Sequence, residues 1–487
     1  MTRLAALAAG GTLTSGGMAN LGGCAGSGKR PPAGPATLPP PGAWTGHTPA
    51  QTALLDDLER RTFQFFWDTT DPRTGLAPDR WPTPSFASVA AVGFALSAYP
   101  IAVVRGLITR AQARERVLTT LRFFHDGPQG PEPRGRIGHR GFFYHFIDMA
   151  TGTRFGDVEL STIDTALLVA GALHCGRWFD GNDAAEAEIR RLADAIYTRV
   201  DWRWAQPRPP AIGHGWKPES GHLAHDYLGY NEAMLLYLLA LGSPTRPVDA
   251  SAWAAWTSTY PRIWGGGYGP EHLRYPVLFV HQFTHCWIDF RGLADPWLRS
   301  RGIDYHENSR RATYAQQAYA MHNPEGWAGY GENVWGITAC DGPADVERVL
   351  DGRRRRFVSY AGRGMGGARY HDDGTIAPYG AGSSIVFAPE IVLPALQAMR
   401  SLGEPVYGRY GFHSFNRSFH LADVKLAHGR VVPGFGWVDD DLLGIEQGPL
   451  LMMLGNHRGE LVWNAMRSDP FLRRGLVRAG FSGGWLS

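Results

Sequence analysis

The stretch SFASVAAVGFALSAY, residues 85–99, consists almost wholly of small and apolar residues and carries no charge. A helix that is apolar on every face is stable only when other elements enclose it. Residues 52–67, just before it, show a different pattern, in which apolar side chains recur on one helical stripe. Such a stripe is typical of an amphipathic helix that covers a core from outside. The two segments therefore predict an outer helix followed by an inner one.

This alternation continues along the chain. Amphipathic segments occur at 110–124, 184–199, 388–402 and 459–467, and enclosed segments at 161–178 and 229–241, with further enclosed helices expected to start near Asn308, Gly382 and Gly444. The six enclosed segments recur about every 70 residues. Six such units predict an all-α fold, an (α/α)6 barrel or six-hairpin toroid, with long loops at the active-site mouth. Strands are expected only within residues 353–382.

The composition excludes several classes of protein. The chain has 487 residues, of which 44% are hydrophobic and 19% charged, so it can bury a sizeable core. Only three of its 48 basic residues are lysines, and the arginines are dispersed apart from the run at 353–356. We therefore expect no nucleic-acid partner. The 17 Trp, 18 Tyr and 23 Phe residues often stand beside Gly, Asp or His, as aromatic residues at carbohydrate sites often do.

The N-terminus predicts export. Residues 1–24 contain Arg3, a short apolar stretch, a Gly/Ser-rich patch and then Leu-Gly-Gly-Cys24, the order of a signal peptide that ends in a bacterial lipobox. Cys24 is the predicted lipidation site, residues 25–50 a flexible Gly/Pro linker, and 51–487 the catalytic domain. No apolar run reaches the ~18 residues of a membrane-spanning helix. The expected location is the periplasm or outer membrane, with membrane contact only through a lipid anchor; the alternative is a disordered leader.

Polar clusters stand where the predicted inner helices begin, so one mouth should collect them. Ser161 followed by Asp164 fits an N-cap with an acidic first turn, and Glu159 lies just before that cap. Glu232 is the carboxylate predicted on the first turn of the apolar segment 229–241. Burial favours its protonated form, which a general acid requires. The catalytic candidates are Glu232, Glu159 and Asp164; the alternatives are helix capping and an exposed first-turn carboxylate.

A second set of side chains is suited to bind sugars, because amide, imidazole, guanidinium and carboxyl groups can bond to hydroxyls while aromatic faces cover the ring. His281 and His285 are four residues apart, but Gln282 replaces the Glu of a zinc-protease helix, so no metal is predicted. The substrate-binding candidates are Asp373, Glu446, His281, His285, Asn308, Arg310, Trp287, Trp327 and Trp335.

Eight strings occur in this order along the chain: GFFYHFIDMATGTRF, ELSTIDTALLVAGAL, GYNEAMLLYLLALGSP, FVHQFTHCWIDFRG, ENSRRATYAQQAYAMHNPEGWAGY, WGITACDGP, DDGTIAPYGAGSSIVFAPE and YGRYGFHSFN. Together they resemble the bacterial glycoamylase-like family, whose characterised members form glycoside hydrolase family 144. The likeness covers roughly residues 52–482 and extends to the glycan-processing domain of cyclic β-1,2-glucan synthases. The resemblance implies an (α/α)6 barrel, inverting hydrolysis of β-1,2-glucans, and no metal or other cofactor.

The resemblance also bears on single residues. It places essential acidic positions in the ELSTIDT and GYNEA motifs, which makes Glu232 the general acid and marks Glu159 and Asp164 without dividing their roles. Glu446 departs from the family pattern, where Gly-Ile-Asp-Gln-Gly-Pro has an Asp one methylene shorter. If this carboxylate positions a water or a sugar hydroxyl, the subsite geometry differs from that of the family.

The resulting expectation is a monomeric, exported β-glucan hydrolase that uses acid/base catalysis. Four alternatives stay open: a transglycosylase on β-1,2-glucan, a glucoamylase-like α-glucan hydrolase, a polysaccharide lyase and a non-catalytic glycan-binding lipoprotein. The acidic motifs at the mouth argue against the lyase, which needs a basic cleft for uronates. Cleavage inside the chain and cleavage from its end are both compatible with the sequence.

Overall fold

The structure is a computed structural model that describes residues 38–40, 44–366 and 370–487. The predicted signal peptide and Cys24 lie outside these residues. Helices make up most of the regular structure. They are α1 Pro49–Thr69, α2 Val89–Val104, α3 Arg110–Asp126, α4 Thr162–Trp178, α5 Ala184–Thr198, α6 Met234–Gly242, α7 Ser251–Trp256, α8 Tyr260–Ile263, α9 Pro296–Arg299, α10 Tyr305–His322, α11 Pro378–Gly382, α12 Pro389–Arg400, α13 Gly444–His457, α14 Leu461–Met466 and α15 Pro470–Arg478.

The helices that the sequence predicts as enclosed form the centre of the molecule. α2, α4, α6 and α13 are buried on nearly all sides, whereas α1, α3, α5 and α12 bury one face. α2 packs against both α4 and α13, and α4 packs against α6. α2 and α4 approach each other closely, because a Cβ on Gly171 would lie 2.1 Å from the Gly93 carbonyl oxygen. Only glycine permits this contact.

Two predicted helix positions are wrong. α6 begins at Met234, so Glu232 precedes the helix instead of lying on its first turn. The helix predicted near Gly382 ends there, since α11 covers only Pro378–Gly382. The helix predicted near Asn308 is confirmed as α10, which begins at Tyr305 and is mostly buried. It packs on a 3-10 turn, Leu278–His281, and its Ser309 Oγ lies 3.0 Å from His285 Nε2 in a second turn, Phe283–Cys286. Trp287, which follows them, stacks on Phe94 of α2.

The prediction of an all-α fold is wrong in one respect, because short antiparallel strands join the helices. A five-stranded sheet has the order Gly138–His139, Phe142–Tyr144, Leu160–Ser161, Gly215–Lys217, Gly221–His222, and a four-stranded sheet the order Thr375–Ile376, Phe415–Asn416, Gly436–Val438, Arg430–Val432. Two-stranded ladders pair Arg80–Trp81 with Leu442–Leu443, Ala87–Ser88 with Phe146–Ile147, Ile212–Gly213 with Asp226–Tyr227, Trp264–Gly265 with His272–Leu273, Ala339–Cys340 with Ala361–Gly362, Val346–Leu350 with Arg353–Phe357, and Tyr407–Gly408 with Gly411–Phe412. The strands predicted within 353–382 are confirmed.

These strands position the starts of the inner helices. Each of α2, α4 and α13 begins directly after a two-residue strand. These strands end at Ser88, Ser161 and Leu443. Since each strand is paired with another loop, the helix N-termini and the loops that precede them are fixed relative to one another. The polar residues at these junctions are therefore held on a rigid frame.

The end of the predicted linker packs against the domain. The Pro39 carbonyl accepts a hydrogen bond from Arg310 at 2.5 Å, Trp44 packs on the hydrophobic core, and the Nε2 atoms of His47 and His457 are 2.8 Å apart. The prediction of a flexible linker over 25–50 is thus wrong for its described end. Within the described ranges, no helix combines the length and the apolar composition needed to cross a membrane.

Candidate active site

The junction between a strand and α4 holds Glu159, Ser161 and Asp164. The Ser161 hydroxyl accepts a hydrogen bond from the Asp164 N–H at 3.2 Å, which confirms the predicted N-cap, and donates one to the Asp164 carboxylate. The antiparallel register places His145 opposite Glu159, whose carbonyl accepts the His145 N–H at 2.9 Å. This pairing brings an imidazole to the two predicted carboxylates.

His145 connects the two carboxylates. Its Nδ1 lies 2.8 Å from Glu159 Oε1, and its Nε2 lies 3.6 Å from Asp164 Oδ2. Burial alone would lower the pKa of His145, but the charges of Asp164, Glu159 and Asp79 outweigh it and raise the pKa to about 9. Burial likewise opposes ionisation of Glu159, yet the hydrogen bond and charge of His145 lower its pKa to about 2. At neutral pH the pair is an imidazolium and a carboxylate.

Glu232 lies in the turn that leads into α6. Gly229 has a φ of +80°, and a Cβ there would lie 2.3 Å from the Thr259 side chain, so this position requires glycine. The Asn231 side chain accepts a hydrogen bond from Trp256 Nε1 at 3.0 Å. These contacts fix the backbone on the N-terminal side of Glu232.

The surroundings of Glu232 suit a proton donor. Burial and the nearby charge of Asp164 raise the pKa of Glu232 to about 7, although the residue keeps some solvent exposure. A carboxyl group that is both desolvated and accessible lines a cleft, where the low dielectric disfavours its charged form. Glu232 can therefore carry a proton at neutral pH while Glu159 cannot. This division is the one that acid–base catalysis requires.

A second carboxylate cluster adjoins the first through Asp79, whose charge also acts on His145. At its centre, Arg80 Nη1 lies 2.6 Å from Asp341 Oδ2 and 3.0 Å from His428 Nδ1. Asp341, His428 and Asp441 are the one group in the described part of the chain with the spacing of metal ligands. The guanidinium of Arg80 already supplies a positive charge among them.

The structure places Glu446 in this second cluster. It lies in the first turn of α13 and is 6% exposed. Burial, together with the charge of Asp341, raises its pKa well above the usual range. Its Oε1 has no hydrogen-bond partner among the described residues. Glu446 is therefore a buried carboxyl group whose neutral form is favoured and whose Oε1 lacks a partner among the described residues.

The predicted tryptophan candidates lie in the interior. Trp287 and Trp335 are completely buried, and Trp287 Nε1 donates to Ser97 Oγ at 3.0 Å. Trp327 is nearly as buried and lies beneath the Arg355 guanidinium, 4.0 Å from its ring centroid. An enclosed indole has no open face for a sugar ring. The prediction that these three residues stack on substrate is therefore corrected: they stabilise the core.

Four polar candidates are bonded within the protein, although His285 Nδ1 has no partner among the described residues. His281 Nδ1 lies 3.0 Å from the Tyr230 hydroxyl, behind the turn that carries Glu232. His285 and Asn308 are buried and bonded to neighbouring protein groups, and Arg310 forms an ion pair within α10. Their predicted contact with substrate is corrected to a structural role. For His281 that role is to support the turn before α6.

Asp373 is a positioning residue. Its carboxylate pairs with Arg363 at 2.8 and 3.0 Å, and both side chains are fully buried. Although burial opposes it, the charge of Arg363 holds the pKa of Asp373 below its usual value. Arg363 also donates to the carbonyl oxygens of Cys340 and Val358, at 2.5 and 2.8 Å. The predicted sugar contact of Asp373 is thus replaced by the anchoring of two loops.

The fold and the site together define a class of protein: a largely helical protein whose site combines a protonatable glutamate, Glu232, with an ionised one, Glu159. A family model described as "Glycoamylase: Putative glucoamylase" matches residues 224–470. The chain belongs to this glycoamylase family, as the resemblance in its sequence predicts. The matched range contains Glu232 and Glu446, whereas Glu159 and Asp164 precede it.

Individual relatives agree with this assignment. The chain is 26% identical over 459 residues to the exo β-1,2-glucooligosaccharide sophorohydrolase (non-reducing end) of Parabacteroides distasonis, covering 87% of this chain but only 57% of that protein. A Bacteroides uniformis crystal structure with the glucoamylase description has 27% identity and a TM-score of 0.75, with 91% of this chain and all of that one covered. The endo-β-1,2-glucanase of Chitinophaga pinensis, solved with sophorotriose and glucose, has a TM-score of 0.74 at 23% identity, with 90% and 99% covered. At that identity it shows the fold alone.

Proposed function

We propose that the protein is a glycoside hydrolase that cleaves β-1,2-glucan by acid/base catalysis. The arrangement that carries this proposal is the buried Glu232, whose pKa is raised to about 7, together with the His145–Glu159 pair, in which the pKa of Glu159 is lowered to about 2. The sophorohydrolase relative is named for activity on β-1,2-linked glucose, which supports this substrate. We propose the same linkage here, on a polysaccharide or oligosaccharide, with the protein acting as a monomer.

Glu232 gives its proton to the glycosidic oxygen as the bond to the anomeric carbon breaks. A water molecule attacks that carbon from the opposite face, and a carboxylate takes its proton, so the anomeric centre inverts. Glu159 and Asp164 are the two candidates for this base. His145 keeps Glu159 ionised and orients it, since it binds both carboxylates.

The proposal includes an (α/α)6 arrangement of the domain. The packing of α13 on α2, α2 on α4 and α4 on α6 supports consecutive inner positions. α1, α3 and α12 lie against inner helices as outer ones would. The proposed inner positions are α2, α4, α6, the turns at 278–286, α11 and α13; the proposed outer positions are α1, α3, α5, α7 with α8, α10 and α12.

Digestion of a glycan panel tests the function. With β-1,2-, β-1,3-, β-1,4- and α-1,4-glucans, we expect products only from the β-1,2-glucan, released as the α-anomer. Product sizes also separate cleavage inside the chain from cleavage at its end. Cleavage of α-1,4-glucan alone would indicate a glucoamylase, longer products with added acceptor a transglycosylase, and binding without cleavage a non-catalytic protein. Any of these outcomes contradicts the proposal.

The pH profile depends on Glu232. A general acid must be protonated in the free enzyme, so kcat/KM should fall as the pH rises through about 7, the pKa of Glu232. The direction follows because deprotonation removes the proton that the leaving oxygen needs. The measurement is kcat/KM on β-1,2-glucan from pH 5 to 9 at constant ionic strength. A rate that stays constant up to pH 9 would show that Glu232 is not the acid.

We also propose that the protein is exported and anchored through Cys24, on the strength of the lipobox-like Leu-Gly-Gly-Cys order before a Gly/Pro-rich segment. Expressed in a bacterial host, the full chain should partition into the detergent phase, whereas the Cys24→Ala variant should not. Phase separation followed by immunoblotting measures this difference. If both proteins fractionate with soluble cytoplasmic markers, the leader is not a signal.

A further inference from the structure

Tyr360 is unusual among the aromatic residues of this protein. Within the described ranges, only Tyr360 and Trp81 are aromatic side chains with more than a third of their surface exposed, at 40% and 43%. An isolated exposed aromatic ring needs no explanation. Tyr360, however, lies near the second carboxylate cluster, since Glu446, Asp79 and Asp341 act on its hydroxyl.

The register of a short ladder places Tyr360 at this cluster. Ala339 pairs with Gly362 and Cys340 with Ala361, so the next positions bring Asp341 and Tyr360 opposite each other. Side chains opposite each other in an antiparallel ladder lie on the same face. Asp341 is the carboxylate that receives Arg80. Continued by one position, the register therefore places Tyr360 beside Asp341, a member of the cluster.

The electrostatics agree with this placement. Burial first, and then the charges of Glu446, Asp79 and Asp341, raise the pKa of the Tyr360 hydroxyl. The ring is thus 40% exposed while protein atoms surround it closely enough to desolvate its hydroxyl. This combination occurs on the wall of a cleft, as it does at Glu232. A side chain on a convex surface would keep its ordinary pKa.

The loop that carries Tyr360 is held rigidly. Arg363 donates to the carbonyl oxygens of Val358 and Ser359, at 2.8 and 2.9 Å, and the buried Asp373 holds Arg363 in place. The backbone before Tyr360 is therefore fixed by a buried ion pair, and the ladder with 339–340 fixes the backbone after it. A ring on such a frame loses little conformational entropy when it binds a ligand.

Glu446 gives an independent indication that a ligand binds here. Its Oε1 is buried without a hydrogen-bond partner among the described residues, and its charge acts on Tyr360. Buried polar atoms nearly always have a partner, which can be a ligand. A glucosyl unit offers both an apolar face and a ring of hydroxyls. It matches an exposed aromatic face next to an unsatisfied carboxyl group.

We propose that Tyr360 and Glu446 form a glucosyl-binding subsite, in which the ring of Tyr360 stacks on the sugar and the Glu446 carboxyl group bonds to a sugar hydroxyl. The subsite rests on the proposed function, since its ligand is a unit of the β-1,2-glucan. Glu446 starts α13 and Glu232 precedes α6, and α2 and α4 connect these two helices in the packing order. In that order the subsite lies three inner positions from Glu232, and in this proposal it holds a unit other than the two that the cleaved bond joins.

Kinetics on chains of different length test the subsite. Tyr360→Ala should raise KM for long β-1,2-glucan by about tenfold and leave kcat within about twofold, because the lost contact is uniform binding. The shortest oligosaccharide that is cleaved should be much less affected, since it does not reach the subsite. Tyr360→Phe should restore the wild-type KM, and Tyr360→Leu should not, because only the former keeps an aromatic face.

Binding measurements examine Glu446 separately. In a Glu232→Gln background, calorimetric titration with β-1,2-glucan oligosaccharides should show a loss of about fivefold to tenfold in affinity for Glu446→Ala. Glu446→Gln should retain most of the affinity, because its amide can donate a hydrogen bond as the protonated carboxyl does. Val349→Ala changes an exposed side chain on the neighbouring hairpin and serves as the control with unchanged affinity. Thermal unfolding of each variant separates misfolding from lost contact.

The outcomes separate the subsite from the function itself. If the wild-type protein cleaves β-1,2-glucan while Tyr360→Ala keeps the wild-type KM on long chains, the subsite is wrong and the function stands. A rise in KM that is equal for short and long chains also overturns the remote subsite. If the wild-type protein neither cleaves nor binds β-1,2-glucan, both proposals fall.

Discussion

Replacing Glu232 with glutamine should lower turnover on β-1,2-glucan by ~10²–10⁴-fold without loss of the fold. Glutamine keeps the size of the side chain and can still donate a hydrogen bond, but it has no proton to give to the leaving oxygen. Since burial and the charge of Asp164 already favour the neutral form of Glu232, a neutral amide should be tolerated at this position. The measurement is kcat on the natural glucan, with thermal unfolding as the check on folding.

A substrate with an activated leaving group distinguishes acid catalysis from substrate binding. An aryl glycoside needs little protonation, so Glu232→Gln should retain a larger share of wild-type activity on it. Glu188→Gln is a matched control, because that carboxylate pairs with Arg122 on the outer surface. Near-normal turnover of the natural glucan by the Glu232 variant would remove Glu232 from the mechanism. Equal losses on both substrates would indicate a binding role.

The sequence predicts the enclosed helices best, since enclosure removes charged residues from every face. The segments 85–99 and 161–178 anticipate α2 and α4 within a few residues. The sequence does not predict the buried segment 278–286, which lies between α6 and α11 along the chain. There the chain forms two 3-10 turns, and Gln282 between them donates to the Gly380 carbonyl at 2.6 Å and to Ser384 Oγ at 2.7 Å. Hydrophobic periodicity cannot recognise a core segment whose polar groups are satisfied by distant residues.

The candidate site is also predictable only in part. Glu232 stands out in the sequence as a carboxylate before an apolar helix, whatever its exact place relative to the helix start. His145 could not be found in this way, because its contact with Glu159 arises from strand register across 14 residues. Tyr360 lies in a loop without periodicity. The predicted tryptophans are mostly core residues, which is the usual place of so large an apolar side chain.

Replacement of the two carboxylates beside His145 should identify the base. We expect that Glu159→Gln or Asp164→Asn, or both, lowers turnover by ~10²–10⁴-fold, because inversion needs an ionised carboxylate to take a proton from water. Glu159 is kept ionised by His145, with a pKa of about 2. Loss of Asp164 should cost about 1 kcal/mol of stability or less, because Ser161 is the N-cap and its bond to the Asp164 N–H persists.

The pH profile of Asp164→Asn separates an electrostatic role from a chemical one. The charge of Asp164 raises the pKa of Glu232, so its removal should move the alkaline limb of kcat/KM to lower pH. If Asp164 acts only through this charge, full activity returns at acidic pH; if it holds the attacking water, activity is lost at every pH. Should both Glu159→Gln and Asp164→Asn retain full activity, Glu232 stands alone on this side of the cleft. The base then has to be sought among the carboxylates around Arg80, because Asp372 and Asp373 are already bound by Tyr330 and Arg363. If Glu446 proved to be that base, its placement in a remote subsite would be wrong.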